Sequence, residues 1–292
     1  MHKYLKAIGF HNIISEKEWI NVLSQIEKDF SGYDRISLEE GLDLCELRKS
    51  CGVGIGVCSY GLIDEEDEEF QRECYFPYFE GSGISSYADI VVEKRRNTHT
   101  YLGVCEDIHL GGSLIFHIQN GMEYMRELQT GNIPKTSTSI TFSGLAVSGK
   151  ILFPVLKNQE QIKERDEERR NRMMLLSAAR EGNPEAIESL TMDDIDTYAE
   201  VSKRVRNEDI YSIVETHFMP CGLECDLYSI LGEILDVDTV ENKLTGQELY
   251  VLKLEMNEMQ FDVCVPVEKV IGEPTIGRRF KARIWLQGRI NF

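Results

Sequence analysis

The chain has 292 residues, 42% apolar and 28% charged, which is ordinary for a folded globular protein of two domains or one elaborated one. This composition excludes a wholly disordered chain, a collagen-like repeat and a small disulfide-stapled scaffold. Fifty acidic against 32 basic residues give a net charge of −18, which argues against nucleic acid and anionic membrane as partners.

Met1 to Ser15 carries Lys3 and Lys6, but no apolar core of a secretory leader follows. Ile140 to Leu156 is the most apolar later stretch, yet Lys150, Pro154 and two glycines make it a poor membrane span. The eight cysteines include no C-x-x-C pair, so a thioredoxin-type site and a zinc ribbon both lack their signature. The expectation is a cytoplasmic protein with mostly buried, unreactive thiols.

In chain order, Ser15 and Glu18 form a capping box ahead of Trp19, Ile20, Leu23, Ile26 and Phe30 at helical spacing. Strand signals follow at residues 53–60, 74–79, 88–93, 100–105 and 114–118, then a helix over 121–128. Further strands are expected at 138–142 and 151–155, with a hairpin turn at the glycines between them. Residues 157–181 read as a charged helix stopped by Gly182-Asn183-Pro184, with a helix from Pro184 and a third, capped by Thr191 or Asp193, through Val205. Residues 178–187 resemble an ankyrin helix–turn–helix, but no second copy exists and a solenoid needs several, so a plain helical hairpin is the better reading. Strands return at 230–237, 248–254, 260–265 and 279–285.

The fold expectation is therefore α+β, in three segments. Residues 1–156 form a mixed domain with a largely antiparallel sheet, 157–209 a helical connector, and 210–292 a small β-barrel for which an OB-like form is open.

Four motifs invite a chemical reading. Gly144 to Lys150 has phosphate-loop spacing, but Ile151 replaces the metal-holding hydroxyl and Pro154 prevents a following helix. Gly52, Gly54 and Gly56 lack the rest of a dinucleotide fingerprint and suit close packing better. The cluster His217, Cys221 and Cys225 could ligate zinc, with Glu224, Asp226 or Cys264 completing the site, although neither spacing is that of a zinc knuckle. Asp64 to Glu69 is an unbroken acidic run without calcium-loop alternation, read as a solvated loop with a basic partner as the sharper alternative.

Arg278, Arg279, Lys281, Arg283 and Arg289 interleave with Phe280, Trp285 and Phe292, which allows a single-strand nucleic-acid face. An edge strand with basic residues outward accounts for the same alternation and fits the acidic balance of the segment. His99, His109 and His117 lie in or beside adjacent strands and could converge. No nucleophile elbow, metalloprotease helix or kinase signature occurs, no cofactor is implied, and whether the protein is an enzyme is left open.

The opening Met1-His-Lys-Tyr-Leu-Lys-Ala-Ile-Gly-Phe10, the block Phe218 to Asp226, and Gly272 to Phe280 with Ile284-Trp-Leu-Gln-Gly288 resemble an uncharacterised bacterial family, domain of unknown function 3881. The resemblance covers essentially the whole chain and implies a bacterial cytoplasmic protein, with no functional residues to carry over. The leading expectation is a non-catalytic binding or interaction protein, whose partner is an unknown protein or small molecule and whose 157–181 arm could dock or form a homodimer. The alternative is an enzyme or small-molecule binder with its site in a cleft between the N-terminal sheet and the C-terminal barrel.

Overall fold

The computed structural model describes residues 2–13, 15–39, 41–64, 69–107, 112–131, 139–155 and 159–292. It is a mixed α+β structure, and its first sheet is an antiparallel meander of β1 (Gly32–Glu39), β2 (Leu42–Gly52), β3 (Ile55–Asp64) and β4 (Phe70–Phe79). Helix α1 (Glu16–Lys28) precedes it, opened by the expected capping box: the Glu18 backbone N–H donates to Ser15 Oγ at 3.2 Å, and Ser15 N–H to Glu18 Oε2 at 3.3 Å. Trp19, Leu23 and Ile26 form its buried stripe, while Ile20 and Phe30 are exposed.

The second sheet is larger and mixed. It holds β5 (Ile90–Lys94), β6 (Tyr101–Asp107), β7 (Gly112–Ile118), β8 (Ser139–Leu152), β9 (His217–Pro220), β10 (Leu227–Asn242), β11 (Gln247–Met256), β12 (Met259–Pro266), β13 (Val270–Ile271) and β14 (Arg279–Asn291). Helix α2 (Gly121–Thr130) follows β7, and α3 (Gln159–Arg180), α4 (Pro184–Arg204) and the short α5 (Ile210–Ile213) lie between β8 and β9.

β8 joins the two ends of the chain. It runs antiparallel to β14 from Ser139↔Asn291 to Leu152↔Arg279, and parallel to β12 at Gly144↔Val263. With the antiparallel pairs β12–β11, β11–β10 and β10–β14, the hydrogen-bonded path β8–β12–β11–β10–β14 returns to β8. The boundary drawn at residue 156 therefore does not coincide with a sheet boundary. A single hydrophobic cluster runs from Tyr4 to Ile290, and the 3-10 turn Lys3–Ile8 inserts Tyr4, Leu5, Ala7 and Ile8 into it.

Three local expectations are corrected. Residues 139–152 are one continuous strand, with no hairpin turn at Gly144 or Gly149. Gly149 is there for space, because a Cβ on it would sit 2.2 Å from the Phe280 ring. Helix α4 runs unbroken from Pro184, and Thr191 Oγ1 donates to Ile187 O at 2.7 Å inside it, so neither Thr191 nor Asp193 starts a new helix. β14 is not an edge strand; β10 and β8 flank it, and β7 joins at its end.

Candidate functional site

Two regions carry polar or apolar groups that the fold does not use up: the α3–α4 hairpin, and the space between the two sheets.

The hairpin is set by local chemistry. Gly182 takes φ 85° to end α3. Asn183 then caps α4, its Oδ1 accepting from Glu185 N–H at 3.0 Å and Ala186 N–H at 3.3 Å, with Pro184 at the first helical position. Helices α3 and α4 pack principally on each other, and Arg172 pairs with Asp194 across them at 2.8 Å. Ala186 and Leu190 are the buried residues of α4. Ile187, Ile195, Tyr198 and Val205 stay exposed, Tyr198 by 77%.

The hairpin is held at its base by the basic residues near the C-terminus. The buried Arg279 guanidinium donates to Phe153 O (2.9 Å), just past β8, and to Tyr211 O (2.7 Å), Val214 O (2.8 Å) and Glu215 O (3.3 Å) around α5. Lys281 Nζ hydrogen-bonds the Tyr211 hydroxyl and lies over the same ring. Phe280 and Trp285 are buried, so neither offers a face on which a base could stack.

Between the sheets, a cleft of about 410 Å³ opens where the β2–β3 turn faces β10–β12. Its wall includes Val53, Phe79 and Val251, together with Glu80, Asp236, Asp238, Asp262 and Lys253. Asp262 is spoken for, accepting from Ser82 N–H at 2.7 Å. Apart from that cleft, Asp226, just before β10, is 1% exposed and accepts from Trp285 Nε1 at 2.8 Å and from Arg95. The His2 and His117 rings lie 4.6 and 5.0 Å from the Trp285 ring, and Phe76 packs edge-on to His117 at 4.3 Å. His117 Nε2, His2 Nδ1 and Arg95 Nε are buried without a hydrogen-bond partner among the described residues.

This environment keeps both imidazoles neutral. Burial, reinforced by Arg95 and His2, holds His117 well below the usual histidine range; burial first and Arg95 second lower His2 from 6.5 to about 4. The unfolded chain takes up protons below about pH 6.5, and the folded chain does so only at lower pH. More protons on the unfolded state means that stability is lost as pH falls from about 6.5 towards 4. His117→Phe is therefore expected to lose less of its thermal midpoint across that window than the wild type does. Parallel melting curves for the two proteins would dismiss the assignment.

The histidines read from the sequence do not form one site. His99 Nδ1 pairs with Glu73 Oε2 at 2.8 Å, His117 sits in the aromatic cluster, and His109 lies outside the described residues. His217 is half-buried on β9, with Nε2 3.2 Å from Ser229 Oγ. That serine–histidine contact is a nucleophile–base distance, but no orienting carboxylate on His217 is found among the described residues. Extended backbone then carries the chain away from His217: Cys221 N–H bonds Leu227 O at 2.9 Å, and Cys225 is exposed. Among the described residues no three of His, Cys, Asp and Glu come together as a metal site, so His217, Cys221 and Cys225 are not gathered into one. Gly52 instead marks a close approach, since a Cβ there would lie 2.5 Å from Glu241 O. Of the acidic run, residues 65–68 lie outside the described residues.

Sequence reasoning placed the exposed arm on 157–181 and missed the stripe on α4. The signal was present as Ile187, Ile195, Tyr198 and Val205, a 3.6-residue recurrence offset from the buried Ala186 and Leu190.

Fold and surface together define an α+β protein of two sheets from which a clamped helical hairpin projects. The chain belongs to the family described as "Domain of unknown function, E. rectale Gene description (DUF3881)", whose model matches residues 5–288. No curated protein and no solved structure matches it. Among the described residues no helix is long and apolar enough to cross a membrane.

Proposed function

We propose that this is a non-catalytic cytoplasmic interaction protein whose working part is the helical connector, residues 157–209, carried on a small OB-like barrel. The observation behind this reading is the α4 stripe: Ile187, Ile195, Tyr198 and Val205 are 42–77% exposed on a helix whose other side is packed on α3. A row of large apolar side chains left in water on a projecting element is a cost that a partner removes. Eight free thiols, most of them buried, fit a reducing compartment. The closed strand path through β8, β10, β11, β12 and β14 supports the barrel reading.

The cleft supports a second reading, a small-molecule binder, because apolar walls and several carboxylates converge on one space large enough for a ligand. A photo-crosslinking residue placed at Tyr198 or at Val53 in the full chain separates the two inside cells. Protein adducts at Tyr198 and none at Val53 are expected. A silent Tyr198 together with a small-molecule adduct at Val53 overturns the first reading in favour of the second.

A further inference from the structure

We infer that the occupant of the α4 stripe is a second copy of this chain, with two α4 helices packed antiparallel across a two-fold axis. This rests on the interaction reading above and names its partner.

At ~100° per residue, Ile187, Tyr198 and Val205 fall within ~20° of one line on the helix and Ile195 within ~80° of it. The stripe is therefore straight enough to face another straight helix along ~30 Å. Its charges are distributed in a way that selects both the partner and the direction. Glu185, Glu188, Asp193, Asp194 and Asp196 occupy the N-terminal half, and Lys203, Arg204 and Arg206 follow at the C-terminal end. Asp194 is paired with Arg172 and Arg204 with Glu208, but Glu185, Glu188, Lys203 and Arg206 make no ion pair among the described residues.

A parallel pair would set acid on acid and base on base. An antiparallel pair centred on Asp196 sets Ile187 opposite Val205 of the partner subunit, puts Ile195 and Tyr198 beside the axis, and brings Glu188, ~100° round the helix from Ile187, alongside the partner's Arg206 on the same flank. One surface then complements itself, which is what a two-fold interface requires. Met174 on α3 and Met192 on α4 are also exposed. The net charge of −18 on each chain does not forbid this. At ~0.15 M salt, charges more than ~8 Å apart are largely screened, whereas the contact pairs are closer than that.

Sedimentation velocity on the full chain, up to about 100 µM, tests the inference, since that range detects dimers with micromolar dissociation constants. The wild type is expected to form a dimer, and Ile195→Glu with Tyr198→Glu to be monomeric, its melting midpoint matching the wild type's only at protein concentrations dilute enough for both to be monomers, since both sites are exposed. Glu188→Arg and Arg206→Glu are each expected to weaken the homodimer about tenfold or more. An equimolar mixture of those two chains should restore dimer, because every 188–206 contact becomes opposite in sign; a parallel pairing, whose wild type already sets 188 on 188 and 206 on 206, would not be weakened by either single change. A monomeric wild type overturns the second-copy inference, and so does a dimer that survives Ile195→Glu with Tyr198→Glu. Crosslinking at Tyr198 to a different protein would leave the interaction reading standing when this inference has failed. Silence there in cells, with a monomer in solution, removes both.

Discussion

Arg279→Met is expected to loosen the base of the α3–α4 hairpin and lower stability by roughly 2–4 kcal/mol, a midpoint drop of about 5–10 °C. Arg279 is 7% exposed and its guanidinium meets four backbone carbonyls, one beyond β8 and three around α5. Each of those carbonyls accepts a charge-assisted hydrogen bond, and methionine removes that donor. The gain from no longer burying a charge, which already holds the Arg279 pKa below its usual value, offsets part of that loss. Arg279→Lys should recover little, because one ammonium cannot span carbonyls that a planar fork reaches from several sides. The effect is local before it is global: amide exchange over residues 210–215 should quicken well ahead of exchange in β10 and β11. Unchanged exchange at 210–215 in Arg279→Met would contradict the clamp.

That role shows where sequence reasoning reached and where it stopped. The basic and aromatic alternation of 279–285 was legible as a strand, because period-2 patterning is a property of the segment itself. Its destination was not legible, since the carbonyls that Arg279 holds belong to residues 153 and 211–215. The same division runs through the molecule. The Ser15–Glu18 capping box and the Gly182-Asn183-Pro184 stop are short-range devices, and both were readable. Gly149 was misread as a turn because the ring that requires its missing side chain, Phe280, lies far along the sequence. β1 and β2 went unread for a different reason. β2 buries Asp43 and Glu46, which interrupts the apolar pattern that marks a strand. Glu46 is compatible with burial only because Tyr60 and Arg48 both donate to it, and no spacing rule announces that arrangement. For the candidate site, the stripe on α4 was present in the sequence as a helical recurrence; that its side chains stay exposed is a fact of the fold.

The other large effect is expected at the seam between the sheets. Gln287, fully buried on β14, accepts from Phe79 N–H at 3.1 Å and from Gln119 Nε2 at 2.8 Å, and donates to Pro77 O at 2.8 Å. Its side chain thus satisfies the end of β4, in one sheet, from the middle of β14 in the other. Gln119 adds a donation to Phe79 O at 2.6 Å, and Ser143 Oγ reaches the same carbonyl at 2.6 Å. Gln287→Leu fills much of the volume but leaves the buried Phe79 N–H and the buried Pro77 carbonyl without their partner, while Gln119 Nε2 keeps Phe79 O and Ser143 Oγ as acceptors. At ~1–3 kcal/mol for each unsatisfied buried group, a loss of about 2 kcal/mol or more is expected. Gln287→Glu separates polarity from shape. Its carboxylate keeps the two acceptor roles but cannot donate to Pro77 O, and burying the charge favours the protonated acid, so its pKa should rise. Gln287→Glu should therefore be more stable at pH 5 than at pH 8, the reverse of the trend that buried His2 and His117 give the wild type. Chemical denaturation of the two variants at both pH values reads this directly. A Gln287→Leu protein as stable as the wild type would mean that the sheets are joined by apolar packing alone, and that the amide network adds nothing to the seam.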